Sequence, residues 1–159
     1  MKRTIAYLLI LTIAVIGTAC PSKTIETAEK KSAQLAGYAN QGVEITRAMF
    51  REQLLTLEQK DKVATGFIAL AQAGQTFDET VKGLKAAYGP DVPRPEIDKL
   101  FEVFSSLVVG KFLDVLRTLK VLPADSRIGE VIDLLRLAVL TIAKAFGRGT
   151  AVRTQLEAV

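Results

Sequence analysis

The chain has no histidine, no tryptophan and one cysteine, Cys20, among its 159 residues. Without histidine it lacks the side chain that most readily exchanges a proton near neutral pH, and zinc sites of the usual Cys/His kind are excluded with it. A lone cysteine excludes an intramolecular disulfide framework in any compartment. Aromatic residues make up 6% of the chain, and one of the three tyrosines, Tyr7, lies in the first twenty residues. Single-strand nucleic-acid binding rests on aromatic platforms beside a basic stripe, so nucleic acid is not an expected partner. No segment shows strand-like alternation bounded by turns.

Several catalytic signatures are missing too. There is no Gly-x-x-x-x-Gly-Lys-Ser/Thr phosphate loop and no Gly-x-Ser-x-Gly nucleophile turn. A carboxylate-bridged di-iron bundle needs Glu-x-x-His on facing helices, which a histidine-free chain cannot supply. The expectation is a protein that is not an enzyme, with no cofactor and no metal site.

What is present begins at the N-terminus. Lys2 and Arg3 precede an uncharged run, Thr4 to Ile16, then Gly17-Thr18-Ala19 and Cys20. Thirteen residues of helix span ~20 Å at about 1.5 Å per residue, short of the ~30 Å hydrocarbon core. Extension to Ala19 gives ~24 Å, which spans only with bilayer thinning or snorkelling of Lys2 and Arg3. A cleaved export signal over residues 1–19 fits best, and the alternatives are an uncleaved signal anchor or ordinary secretory cleavage.

These twenty residues resemble the bacterial lipoprotein signal, whose lipobox ends in the cysteine that receives diacylglycerol before signal peptidase II cuts ahead of it. Thr18 and Ala19 suit the two positions before the cysteine. Gly17 departs from the usual Leu, Val or Ile, although looser forms of the motif admit glycine. The resemblance covers Met1 to Cys20 only. It implies cleavage between Ala19 and Cys20, acylation of Cys20 with more than one chain, palmitate among them, and a place in the cell envelope facing the periplasm or exterior. Several acyl chains make attachment persistent where one is marginal. The implied partner is membrane lipid through acylated Cys20, with an envelope protein as a possible second.

Removing the signal also removes Lys2 and Arg3, so the 21 basic residues become 19 against 17 acidic ones and the formal charge falls from +4 to +2. Lys23, Lys30 and Lys31 follow the proposed anchor and favour an anionic lipid surface by about 1 kcal/mol each. Glu26 and Glu29 offset much of this.

The remaining residues, 20–159, suffice for one domain with a single core. Apolar residues recur at three- and four-residue steps, and the fold class expected is all-α, an up-down antiparallel bundle of about four amphipathic helices after the N-terminal signal helix. An orthogonal packing of two hairpins is the alternative. A first helix, residues 22–55, presents Ile25, Ala28, Leu35, Ala39, Val43, Met49, Phe50 and Leu54, with Gly37 and Gly42 inviting a kink or break near Asn40.

A second helix, residues 57–88, starts at the capping box Thr56-Leu57-Glu58-Gln59. Thr76-Phe77-Asp78-Glu79, just after Gly74, is a second such match that would split it, although one continuous stripe runs from Val63 to Tyr88. Gly89 to Pro95 holds three prolines and separates two helical hairpins. A third helix, residues 95–121, buries Ile97 through Leu119 and is stopped by Pro123. A fourth, residues 125–146, is capped by Asp125 or Ser126 and ends at Gly147 and Gly149. It is strongly apolar, but Glu130, Asp133, Arg136 and Lys144 interrupt it, which favours a bundle helix over a membrane span. Residues 147–159 form a tail, read as a frayed turn or disordered.

Two weak site motifs remain. Gly147-Arg148-Gly149 begins like a dinucleotide fingerprint but follows a helix, so it reads as a helix terminator. Glu130 and Asp133 project from adjacent turns as an acid/base or metal pair, but Arg127 and Arg136 nearby favour a solvated ion-pair ladder. Three function classes are left: a noncatalytic lipid-tethered interaction module working through a helix face or the proline-rich loop, a carrier of an apolar ligand lined by Phe67, Phe77, Phe101, Phe104 and Phe112, and, least favoured, an enzyme using carboxylate, lysine or tyrosine groups.

Overall fold

The computed structural model describes residues 21–120, 122 and 124–159. Every regular element among them is helical: α1 (Pro21–Arg51), α2 (Leu57–Tyr88), α3 (Arg94–Val103), a π-helical segment (Phe104–Val109), α4 (Gly110–Leu119), α5 (Ser126–Ala145) and α6 (Gly149–Glu157). The chain is therefore all-α, as its periodicity implies. No described helix is long and apolar enough to cross a membrane.

Four rods pack around one core. Ser32 donates to Asp78 Oδ1 at 2.8 Å and Lys85 pairs with Glu29 at 2.6 Å, while Gly42 faces the Phe67 ring, so α1 and α2 run antiparallel. Thr24 donates to the Ala145 carbonyl at 2.9 Å and Arg127 reaches Glu52 at 2.8 Å, which sets α5 antiparallel to α1. Phe77 meets Phe104 and Gly66 faces Val115, which does the same for the third rod against α2. Between α4 and α5 the backbones make few close approaches.

Helix α1 runs unbroken through Asn40 and both of its glycines. A Cβ on Gly42 would lie 2.5 Å from the Phe67 ring, so a hydrogen at that position is what admits the ring. Gly74 likewise lets α2 close on Leu35 and Ala36, and α2 passes it without a break. The second capping-box match is not used as one. Asp78 instead accepts from Ser32 and pairs with Lys82 at 2.6 Å.

Helix ends account for the other departures from expectation. The first helix stops at Arg51, not residue 55, because Gln53 adopts φ 62°. Gln53 N–H donates to the Phe50 carbonyl and Leu54 N–H to the Met49 carbonyl, both at 3.0 Å, which is the Schellman pattern. The chain turns away, leaving Phe50 36% and Leu54 45% exposed while Leu55 takes the core position. The predicted capping box at Thr56 is fully formed, with Gln59 N–H donating to Thr56 Oγ1 at 3.2 Å and Thr56 N–H to Gln59 Oε1 at 2.9 Å.

The third rod is interrupted by the π-helical segment, in which adjacent Val108 and Val109 are both buried. It ends as α4 at Leu119, and the proposed stop at Pro123 lies outside the described residues. The tail expected to fray is instead helix α6, with Val152 and Leu156 buried against the core. Gly147 at φ 73° makes the turn into it.

Candidate functional site

Cys20 and Ala19, the expected lipidation and cleavage positions, lie outside the described residues. The chain is already helical at Pro21, so whatever Cys20 carries is joined to the bundle without an intervening linker. The first turn of α1 is tied to the last turn of α5 by the Thr24 to Ala145 hydrogen bond. That contact brings the chain around Gly147-Arg148-Gly149 to the same end of the molecule. The Gly-Arg-Gly sequence acts as the helix terminator it was read to be, with Arg148 N–H donating to the Ala143 carbonyl at 2.8 Å and Gly147 N–H to the Lys144 carbonyl at 2.9 Å. Arg148 then lies 5.8 Å from the Phe101 ring centre.

The five phenylalanines proposed as a pocket lining do not form one. Phe67, Phe77, Phe104 and Phe112 are fully buried in the core. Phe77 and Phe104 pack at 5.2 Å between ring centres and Phe101 and Phe146 at 5.6 Å, with Phe104 within 6.2 Å of both Phe101 and Phe146. Rings at these separations leave no room for a ligand.

The predicted ion-pair ladder along α5 is also absent, since Glu130 and Asp133 make no ion pair with Arg127 or Arg136. Arg127 is drawn elsewhere. It donates from both terminal nitrogens to the Glu52 carboxylate at 2.9 and 2.8 Å, and from Nη2 and Nε to the Asp125 carboxylate at 2.8 and 3.1 Å. These two-pronged bonds tie the turn after α1 to the cap of α5. The Arg127 hydrogen bond holds the Glu52 carboxyl below its usual range, and the same guanidinium does so for Asp125. Asp125 also caps α5 by accepting from Arg127 N–H at 2.9 Å. The side chains of Glu130 and Asp133 are exposed, and no group of three or more potential metal ligands occurs among the described residues.

The proline-rich segment is anchored at its base. Val92 and Ile97, at the two positions of a hydrophobic staple around Pro93, are both buried. Pro93 and Pro95 themselves are exposed.

One apolar cleft has no counterpart in the sequence reading. A cleft of about 720 Å³ opens between α4, α5 and α6, lined by Leu116, Leu119, Leu122, Ile128, Ile132 and Leu156, with Lys120 and Arg136 also on its wall. Neither cation makes an ion pair with a described residue. The tail helix α6, which supplies Leu156, completes this wall, and the low hydrophobicity of residues 147–159 gave no signal of it. A second cleft of about 690 Å³ lies along α1 and α5 and is lined by Asn40, Glu44, Arg47, Glu130 and Leu134 among others. No family model, no curated protein and no solved structure matches this chain.

Proposed function

We propose that this is an exported bacterial protein whose Cys20 becomes the lipid-bearing N-terminus of a noncatalytic helical module held at the cell envelope. The observation that carries the reading is the order of residues at the start: two cations, an uncharged run too short to span comfortably, small residues, then the chain's one thiol. The immediate entry into α1 at Pro21 and the helical bundle behind it are compatible with a domain held close to its anchor. Replacing Cys20 with Ala tests this by fractionation: release of an unacylated product from the membrane supports it, and unchanged membrane association favours an uncleaved signal anchor.

The cleft between α4, α5 and α6 favours a second reading, a carrier of an apolar ligand, on residues other than the phenylalanines first considered. Its leucine and isoleucine lining suits hydrocarbon, and a volume of about 720 Å³ lies within the range of small-molecule sites. A thermal shift with a long-chain fatty acid that is lost in Ile132→Glu, and absent with polar metabolites, supports this reading.

A further inference from the structure

Both ends of the bundle hold ion pairs, Lys85 with Glu29 and Lys99 with Glu96 among those at the end where α1 begins, and they differ in which cations are left over. At the end formed by the α1 C-terminus and the α5 N-terminus, Glu52, Asp125 and Arg127 close on one another, and Glu58 pairs with Lys62 at 2.7 Å. At the opposite end, where α1 begins, Lys23, Lys144, Arg148 and Arg153 are all exposed and none makes an ion pair with a described residue. They come from two separate stretches of chain, the start of α1 and residues 144–153. The Thr24 to Ala145 bond brings the first two together, and Lys144 and Arg153 line one small cleft with Gly147 and Gly149. Glu26, Asp91 and Glu102 are the exposed carboxylates toward this end that make no ion pair with a described residue, against the four free cations.

We infer that this end is a headgroup-facing surface, on which Lys23, Lys144, Arg148 and Arg153 rest against anionic phospholipid and set the bundle upright on its membrane. The inference rests on the proposed tether at the start of the chain. A helix that begins at Pro21, next to Cys20, keeps the α1 N-terminus within about a turn of the bilayer, inside the distance over which a surface potential acts. Side chains on a helix lean toward its N-terminus, so Arg153 of α6 is directed back toward Gly149 and the same plane. Of these four cations, sequence order alone places only Lys23 near the anchor. The antiparallel return of α5 adds the other three.

The test uses the full chain reconstituted into vesicles of phosphatidylcholine alone and of phosphatidylcholine with phosphatidylglycerol, read by flotation and by acylation rates of individual lysines with a water-soluble reagent. Lys23 and Lys144 are expected to react ~5-fold more slowly on the anionic vesicles at low salt, the factor equivalent to about 1 kcal/mol per cation near such a surface, and to recover at high salt. Lys62, at the far end, is expected to react equally on both. In the R148Q/R153Q double variant, most of the protection at Lys144 is expected to disappear. Protein that floats with neither vesicle overturns the tether and this inference with it. Protein that floats with both while Lys23 and Lys144 react alike on both overturns the headgroup contact and leaves the tether standing.

Discussion

In the half of the bundle where α1 begins, Phe77, Phe101, Phe104 and Phe146 pack ring against ring and fill the space between α2, the third rod and α5. In the other half the same rods are lined by Leu116, Leu119, Ile128 and Ile132, and a cleft of about 720 Å³ remains between them. Rings bridge a gap that shorter aliphatic side chains leave open, so one pair of antiparallel helices yields a sealed core at one end and an accessible hollow at the other. The charges do not follow this division. The hollow end pairs Arg127 with Glu52 and Asp125 but leaves Lys120 and Arg136 without an ion pair among the described residues. The sealed end pairs Lys85 with Glu29 and Lys99 with Glu96 but leaves Lys23, Lys144, Arg148 and Arg153 without one among the described residues. Packing density and electrostatic closure are thus separate properties of this molecule, each set by local residue choice.

The contrast can be tested by substitution. Phe104→Ala removes the ring shared by three aromatic contacts and is expected to destabilise by about 3–5 kcal/mol in chemical denaturation, because the surrounding rings cannot collapse into the space. Leu119→Ala, on the cleft wall and only half-buried, is expected to cost about 1 kcal/mol. Equal losses at the two positions would contradict the difference between the halves.

The two Schellman turns give a matched pair, one at each end. Gln53 holds φ 62° without the freedom of glycine, so Gln53→Gly is expected to stabilise by about 1 kcal/mol. Gly147→Ala, at φ 73°, is expected to destabilise by a similar amount. Denaturation midpoints moving in opposite directions would establish the pair. Asp125→Ala removes the cap of α5 and is expected to cost about 1 kcal/mol.

The smallest effect is that of pH. Glu52 and Asp125 are both held below their ordinary values of 4.5 and 3.8 by Arg127. A carboxyl lowered on folding contributes stability above its unfolded value, and that contribution is lost as pH falls through the folded one. The melting temperature is therefore expected to fall as pH drops below about 4.5, and to fall less steeply in Arg127→Gln, a modest difference because the pairs face solvent.

Much of the architecture was legible in the residues because it rests on local rules. The Thr56/Gln59 capping box, the Asp125 cap, the Gly147 stop and the buried stripes of α1 and α2 each follow from spacing within one or two turns. What escaped was decided by partners far along the chain. Nothing around Gln53 marks a left-handed residue, because glycine is the usual signal and is missing. The π-helical segment keeps an apolar face and so leaves no break in the pattern. Arg127 has Glu130 on its own helix within reach in sequence, yet it bonds in two-pronged fashion to Glu52, in the turn just after α1. The cleft needed Leu156, in a tail whose composition reads as loose. Legibility ends where a residue's neighbour is set by tertiary packing.

The most direct test of the proposed tether is mass spectrometry of the mature protein taken from its host membrane. The account predicts a chain beginning at Cys20, with residues 1–19 gone and the mass of a diacylglyceryl group on the thiol. A chain still beginning at Met1 with a free Cys20 thiol contradicts it.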